Sequence, residues 1–104
     1  MARKKTVETP EMLRERMRYA VLIRTGRAAL GLSQREFGSV VGLHYSSLAR
    51  FESGQMRLKS AYITRILAFF EQSGLGITQS EQDGVSISIP RSALDAMINP
   101  QITD

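Results

Sequence analysis

The stretch Gln34-Arg-Glu-Phe-Gly-Ser-Val-Val-Gly-Leu-His-Tyr-Ser-Ser-Leu-Ala-Arg-Phe-Glu-Ser-Gly54 has the pattern of two short helices joined by a tight turn. Gly38 supplies the small residue that steeply crossing helices need where they touch, and Gly42 tolerates the positive φ of a tight turn. Apolar side chains occupy the core-facing offsets of both helices, at Phe37, Val41, Leu43, Leu48 and Phe51. The pattern therefore predicts a helix-turn-helix unit.

Capping signals at other boundaries predict further helices. Thr9-Pro10-Glu11 places an N-cap residue, a proline and an acid in the order typical of a helix start, and this helix is either continuous to about Leu30 or bent near Gly26. Ser33 and Glu36 form a capping box that opens the next helix. With helices expected over about 45–53 and 60–73, the chain is predicted to be mainly α-helical up to residue 74.

The residue pattern changes after Gly74 from helical spacing to strand alternation. Residues 75–79 and 85–89 are β-type runs, and the turn between them contains Asp83-Gly84, a frequent hairpin sequence. Pro90 ends the second run, and residues 91–97 are long enough for one or two helical turns before a tail. The sequence therefore predicts a C-terminal β-hairpin behind the helical part.

The composition narrows the chemistry that the chain can perform. With 104 residues, 42% hydrophobic and 23% charged, it is typical of one globular domain. The absence of cysteine and the single histidine, His44, exclude a disulfide scaffold, a thiolate zinc site and a multi-histidine centre. No nucleophile–base pair or phosphate-binding glycine loop is recognisable. We therefore expect no enzyme, metal or cofactor, and, without a membrane span or signal peptide, a cytoplasmic protein.

Positive charge is concentrated in the first two-thirds of the chain. Residues 1–65 carry 13 Lys and Arg against 5 Asp and Glu, a balance of +8, whereas residues 66–104 carry one arginine and five acids, a balance of −4. The basic part favours a polyanionic partner, and the acidic end indicates a separate role for the last third. Charge alone does not show whether the basic surface binds nucleic acid or is an ordinary surface that keeps the protein soluble.

Three segments carry a family resemblance. They are Arg27-Ala-Ala-Leu-Gly-Leu-Ser-Gln34, Val41-Gly-Leu43 and Leu48-Ala-Arg-Phe-Glu-Ser-Gly54, with Leu67 beyond them. Over residues 19–73, about half of the chain, the sequence resembles the lambda-repressor-like (Xre-type) helix-turn-helix family. The resemblance implies a protein of bacterial or phage type that folds as a bundle of about five helices. The second and third helices of this bundle are expected to form a unit that reads double-stranded DNA.

The resemblance also implies roles for individual residues. At the start and outer face of the recognition helix, the residues expected to contact base edges in the major groove are Tyr45, Ser46 and Arg50. Those expected to contact the DNA backbone are Gln34, Arg35, Ser47, Arg57 and Lys59, and Gln34 would also brace the recognition helix. Arg27 and Glu52 match a structural ion pair that anchors this helix.

Two positions depart from the commonest family pattern. His44 stands where Ser or Thr usually caps the recognition helix, and Tyr45 is large for its position, so that stacking on a thymine methyl or a sugar is an alternative to hydrogen bonding. In the repressor that gives the family its name, a lysine-rich arm precedes the first helix and wraps the duplex. Arg3, Lys4 and Lys5 are candidates for the same role, and a disordered, solubilising end is the alternative.

The hairpin needs a surface that covers its apolar side chains, because an isolated hairpin is marginally stable in water. The residues concerned are Leu75, Ile77, Val85, Ile87 and Ile89. Pairing with the hairpin of a second copy is the prediction, which gives a homodimer that reads a pseudo-palindrome. Packing on the chain's own helices is the alternative.

These observations divide the chain into four parts. They are a flexible basic arm (1–8), a helix-turn-helix DNA-binding domain (9–74), a hairpin for dimerisation (75–90) and a short helical turn with a tail (91–104). The function expected from the resemblance is a sequence-specific transcriptional regulator, acting as a dimeric repressor. The acidic last third favours the alternative of an antitoxin or adaptor that binds a partner protein, such as a toxin, and autoregulates by DNA binding.

Overall fold

The computed structural model describes residues 8–80 and 82–98. In chain order its elements are α1 (Pro10–Ala29), α2 (Gln34–Val41), α3 (Tyr45–Glu52), α4 (Ser60–Gln72), β1 (Gly76–Ser80), β2 (Gly84–Ser88) and α5 (Arg91–Ile98). The predicted mainly helical fold with a helix-turn-helix and a C-terminal hairpin is confirmed. Four helices precede the hairpin, and the fifth follows it.

The first helix is continuous and does not bend at Gly26. It begins where the sequence predicts, because the Thr9 hydroxyl accepts a hydrogen bond from the backbone N–H of Met12 at 3.1 Å, with Pro10 in the first turn. Gly26 is buried beneath the ring of Phe70, at a place where a Cβ atom would collide with that ring. The glycine therefore serves the packing of α1 against α4.

The core lies between the four helices that precede the hairpin. Each of them contributes fully buried side chains, among them Ile23, Phe37, Leu48 and Phe70. The rings of Phe37 and Phe70 stack with their centroids 5.5 Å apart, which joins α2 to α4. Burial of one such side chain stabilises the fold by about 1.5–3 kcal/mol, and an aromatic pair adds about 0.5–1.5 kcal/mol. The helix-turn-helix is thus part of the main core.

The hairpin packs on the helices of its own chain. Its strands are antiparallel, with Ile77 opposite Ile87, and they extend to Ser80 and Gly84, so the turn is shorter than the sequence predicts. Strand β2 lies against α1 and β1 lies against α4, while Leu75 is buried in the core. Within a single chain, the arrangement is therefore the alternative that the sequence left open.

The last helix, α5, leaves an apolar surface uncovered. Ala93 is buried beside Gly74, whereas Leu94 and Ile98, one turn apart, are 45% and 46% exposed. Neither α5 nor any other helix over residues 8–80 and 82–98 combines the length and apolar character that a membrane crossing requires.

Candidate nucleic-acid interface

Close backbone contacts fix the turn between α2 and α3. Gly42 ends α2 with a φ of +79°, the left-handed conformation that favours glycine. The backbone N–H of Leu43 donates to the carbonyl of Gly38 at 2.8 Å, and a side chain at Gly38 would collide with the carbonyl oxygen of Leu43. From α4, Arg65 donates to the carbonyl of Val41 at 2.8 Å. Backbone contacts within the turn and a side chain from α4 therefore fix the end of α2 and the path of the turn into α3.

Helix α3 has an inner and an outer face. The inner face carries the buried side chains Leu48, Phe51 and Glu52. The outer face carries the three predicted base-contacting residues, Tyr45, Ser46 and Arg50, which are all exposed. Ser47 is half-buried at the boundary between the two faces. The structure therefore brings the predicted base-contacting residues together on one accessible surface.

The buried carboxylate of Glu52 joins α3 to α1 and α2. Arg27 donates to both carboxylate oxygens, from Nε and Nη2, at 2.8 Å each, and Gln34 donates its Nε2 at 3.2 Å. Arg24 adds a long bond of 3.4 Å to the carbonyl of Glu52. The hydrogen bonds to Glu52 raise the pKa of Arg27 above its ordinary value. This bidentate pair, with Gln34 beside it, anchors α3 from within the protein.

Two rings and a guanidinium group cluster at the start of α3. His44 caps the helix, since its Nδ1 accepts from the backbone N–H of Ser46 at 3.2 Å and lies 2.7 Å from the Ser46 hydroxyl. The Tyr45 ring lies 4.6 Å from the His44 ring, and the guanidinium carbon of Arg35 lies 3.8 Å from the Tyr45 ring centroid. The imidazole thus replaces the usual Ser or Thr cap, and one face of the tyrosine ring is covered by Arg35.

Glu8 connects the beginning of the described chain to the loop after α3. Its carboxylate lies 2.8 Å from Nη2 of Arg16 and 3.1 Å from Nη2 of Arg57, and Arg16 also donates to the carbonyl of Gly54. These contacts, the hydrogen bond from Arg16 first, lower the pKa of Glu8 below its ordinary value. Arg57, a predicted phosphate ligand, is therefore engaged with a carboxylate when DNA is absent.

The sequence pattern gave no sign of this cluster. Glu8 falls in the predicted flexible arm, and its partner Arg57 is 49 residues away in the chain. Lys59, the other loop cation, is exposed at the start of α4. Arg3, Lys4 and Lys5, the predicted DNA-contacting arm, lie outside the described residues.

The five predicted dimerisation residues differ in exposure. Leu75 is buried, Ile77, Val85 and Ile87 are half-buried, and Ile89 is 40% exposed. Because the half-buried members face the chain's own helices, a second copy has access to the strand edges and to Ile89 rather than to the whole apolar face.

The described residues contain no cluster of three or more His, Asp or Glu side chains placed to hold a metal ion. The polar groups of the outer face are hydroxyls and cations, which donate hydrogen bonds to acceptors such as phosphate oxygens and base edges. The arrangement suits recognition of a polyanion.

The fold and this outer face define a helix-turn-helix protein of the DNA-binding class. The family model described as Helix-turn-helix matches residues 23–77, which run from α1 into β1. The chain belongs to this family, the lambda-repressor or Xre type of helix-turn-helix protein, as the resemblance predicts. Membership supports a DNA-binding transcription regulator. Among curated proteins, no significant match was found.

Proposed function

We propose that the protein is a dimeric transcriptional repressor, of bacterial or phage type and cytoplasmic, that recognises a pseudo-palindromic DNA site through the major groove and has no enzymatic activity. The observation that carries this proposal is the two-sided construction of α3. Its inner face is anchored through Glu52 to Arg27 and Gln34, and its outer face presents Tyr45 and Arg50 to the solvent. A helix held in this way keeps its outer side chains in register with base edges.

Arg50 is the strongest candidate for a direct base contact. Its side chain is exposed in the last turn of α3, and the planar guanidinium matches the O6 and N7 acceptors of guanine in the major groove. Tyr45 and Ser46 lie nearer the start of the helix, where recognition helices commonly meet base edges.

Four further residues are proposed to contact phosphates, namely Gln34, Ser47, Arg57 and Lys59. Gln34 gives one N–H of its amide to Glu52, which leaves the second N–H for a phosphate oxygen. Lys59 is exposed beside the same surface. Arg57 reaches a phosphate by exchanging the Glu8 carboxylate for it, since both anions accept paired hydrogen bonds from a guanidinium.

Dimerisation is proposed through the C-terminal part of the chain. The hairpin has strand edges that no other described strand covers, and an unpaired edge is a template for a strand of a second copy. Ile89, Leu94 and Ile98 add exposed apolar surface next to it. A two-fold pair of this kind places two recognition helices about 34 Å apart, one turn of DNA, and binding over a promoter then excludes polymerase.

Selection of bound duplexes from a random pool tests the DNA-binding part of the proposal. The wild-type chain should enrich a pseudo-palindrome, and Arg50→Ala should cost about 1–3 kcal/mol and relax the preference at one base position of each half-site. An even loss over all sequences would make Arg50 a phosphate ligand. Enrichment of no sequence by the wild type would refute the proposal.

Light scattering at micromolar concentration tests the dimer. The wild type should have twice the mass of the chain, and Leu94→Glu with Ile98→Glu should give a folded monomer, because two carboxylates cannot be buried unpaired in the interface. A wild-type monomer at this concentration would contradict the dimer.

An antitoxin or adaptor is the second candidate function. It is favoured by the negative charge of the last third, to which the exposed Glu71, Asp83 and Asp95 contribute, and by the exposed Leu94 and Ile98 on the helix that carries Asp95. Such a surface suits a basic protein partner with an apolar anchor. A stoichiometric partner that is recovered with the wild type and lost with Leu94→Glu would favour this function.

A further inference from the structure

We infer that Arg35 is a specificity-determining residue, which reads a guanine from α2 while Tyr45 supports its guanidinium. The inference rests on the proposed function. It differs from the phosphate contact that the family resemblance implied for Arg35, and it follows from the position of this side chain in the structure.

The side chain of Arg35 is oriented by the ring of Tyr45. The guanidinium carbon lies 3.8 Å from the ring centroid, which is the distance of direct stacking. Arg35 is exposed, and within residues 8–80 and 82–98 no carboxylate or carbonyl accepts a hydrogen bond from it. Stacking uses the flat face of the guanidinium, and the N–H donors in its plane therefore stay free.

This unit stands where a recognition helix meets the groove. Tyr45 is the first residue of α3, and its ring lies 4.6 Å from the ring of His44, which caps the same helix end. Arg35 reaches this point from the first turn of α2. The guanidinium of Arg35 and the rings of Tyr45 and His44 therefore lie together at the start of the recognition helix, the end that commonly meets base edges.

The free N–H donors in the plane of the Arg35 guanidinium favour a contact with guanine. A bidentate contact with O6 and N7 requires two N–H donors in one plane, and an arginine held against a ring offers them with little further loss of side-chain freedom. A phosphate can also accept two hydrogen bonds from a guanidinium, but a phosphate contact does not require this geometry, since the charge of a mobile arginine or lysine is enough to attract the DNA backbone. The stack is thus more useful for reading a base than for binding the backbone.

Three single variants test the inference. Arg35→Lys keeps the charge and loses the planar fork, whereas Tyr45→Leu removes the supporting ring and Tyr45→Phe keeps it. Each variant is compared with the wild type by selection from a random duplex pool, and the affinity for the selected sequence is measured over a range of salt concentrations.

We expect Arg35→Lys and Tyr45→Leu to lose the preference for guanine at the same position of each half-site. Affinity for the selected sequence should fall about 5- to 150-fold, while Tyr45→Phe keeps the guanine preference there. The double variant Arg35→Lys with Tyr45→Leu should lose little more than either single variant, because the two side chains act as one unit. The slope of log K against log salt should stay close to that of the wild type in Arg35→Lys.

Unchanged base preferences in Arg35→Lys would overturn the inference, as would a loss of preference at different positions in Arg35→Lys and Tyr45→Leu. Both outcomes leave the proposed function standing, provided that the wild type enriches a sequence. If the wild type enriches none, the proposed function itself fails, and the two failures are thereby distinguished.

Discussion

Arg57 and Glu8 form an ion pair of 3.1 Å across 49 residues of chain, and this pair places a carboxylate beside the loop that follows the recognition helix. Because Arg16 holds the same carboxylate at 2.8 Å, Glu8 is fixed between two cations and has a lowered pKa. In the proposed complex, DNA meets a loop cation that already has an anionic partner.

The first prediction is that Glu8→Gln binds DNA more tightly than the wild type. Removal of the carboxylate frees Arg57 for a phosphate, so affinity should rise and the slope of log K against log salt should steepen by about 0.9, the value for one added phosphate contact. Titration of a labelled duplex at several salt concentrations measures both quantities.

Glu11→Gln is the matched control, because Glu11 is an exposed acid in the first turn of α1 whose loss changes the net charge equally. An equal gain in Glu11→Gln would assign the effect to overall charge. A loss of affinity in Glu8→Gln would instead mean that the ion pair holds the DNA-binding surface in its active form.

The second prediction concerns the brace of α3. Glu52→Ala leaves Arg27 without its bidentate partner, and we expect the free energy of unfolding to fall by about 3 kcal/mol, at the lower end for a broken buried pair because Arg27 retains some solvent contact. Urea denaturation followed by circular dichroism measures the change. Glu71→Ala, an exposed acid on α4, should change stability by less than about 0.5 kcal/mol.

Replacement of both Arg27 and Glu52 distinguishes the destabilisation caused by an unpaired buried charge from that caused by loss of the ion pair itself. Arg27→Met with Glu52→Leu should be more stable than Glu52→Ala alone, since no unpaired charge remains. If the double variant is less stable than Glu52→Ala, the ion pair stabilises the fold by more than the neutralisation of the Arg27 charge.

The capping box of α2 is predicted to stabilise the fold in a pH-dependent way. The backbone N–H of Ser33 donates to the Glu36 carboxylate at 2.9 Å, and this bond lowers the pKa of Glu36. A carboxyl group with a lower pKa in the folded than in the unfolded chain stabilises the fold above its unfolded pKa, and this contribution is lost as the pH falls through the lowered value.

We therefore expect the pKa of the Glu36 carboxyl, measured as its NMR titration midpoint, to lie below the ordinary value for glutamate. In Glu36→Gln, the decline of stability between neutral pH and pH 3 should be shallower than in the wild type. A midpoint at or above the ordinary value would show that the Ser33 bond is absent in solution.

The last prediction concerns the imidazole cap. His44→Ala removes the acceptor for the backbone N–H of Ser46 and should cost about 1 kcal/mol, whereas His44→Asn keeps a good N-cap and should be close to neutral. Thermal unfolding of both variants measures the difference. Wild-type stability in His44→Ala would mean that the imidazole contributes nothing to the helix end.

Local signals were sufficient to predict most of the fold. Thr9, Ser33 and Gly42 act through residues at most four positions away, so the helix ends that they define are readable from the chain. The reason for a glycine at position 26 was not readable, because the space that a Cβ atom would need there is occupied by Phe70, which comes from another helix.

The candidate site likewise has features that the sequence predicted and features that it did not. The positions of Tyr45, Ser46 and Arg50 on one face follow from helical spacing and the family resemblance. The stack of Arg35 on Tyr45 and the contact of Glu8 with Arg57 depend on side-chain directions and on long-range folding, for which a single sequence has no local signal.

The inward attachment of α3 through Glu52 has a consequence for engineering and for evolution. Arg50 bears no part of that attachment, so exchanging it alone should change the proposed base preference at one position of each half-site without disturbing the scaffold. Contacts link Arg35 to Tyr45, Tyr45 to His44 and His44 to Ser46, and a chimera that imports the start of another recognition helix would have to import all four together.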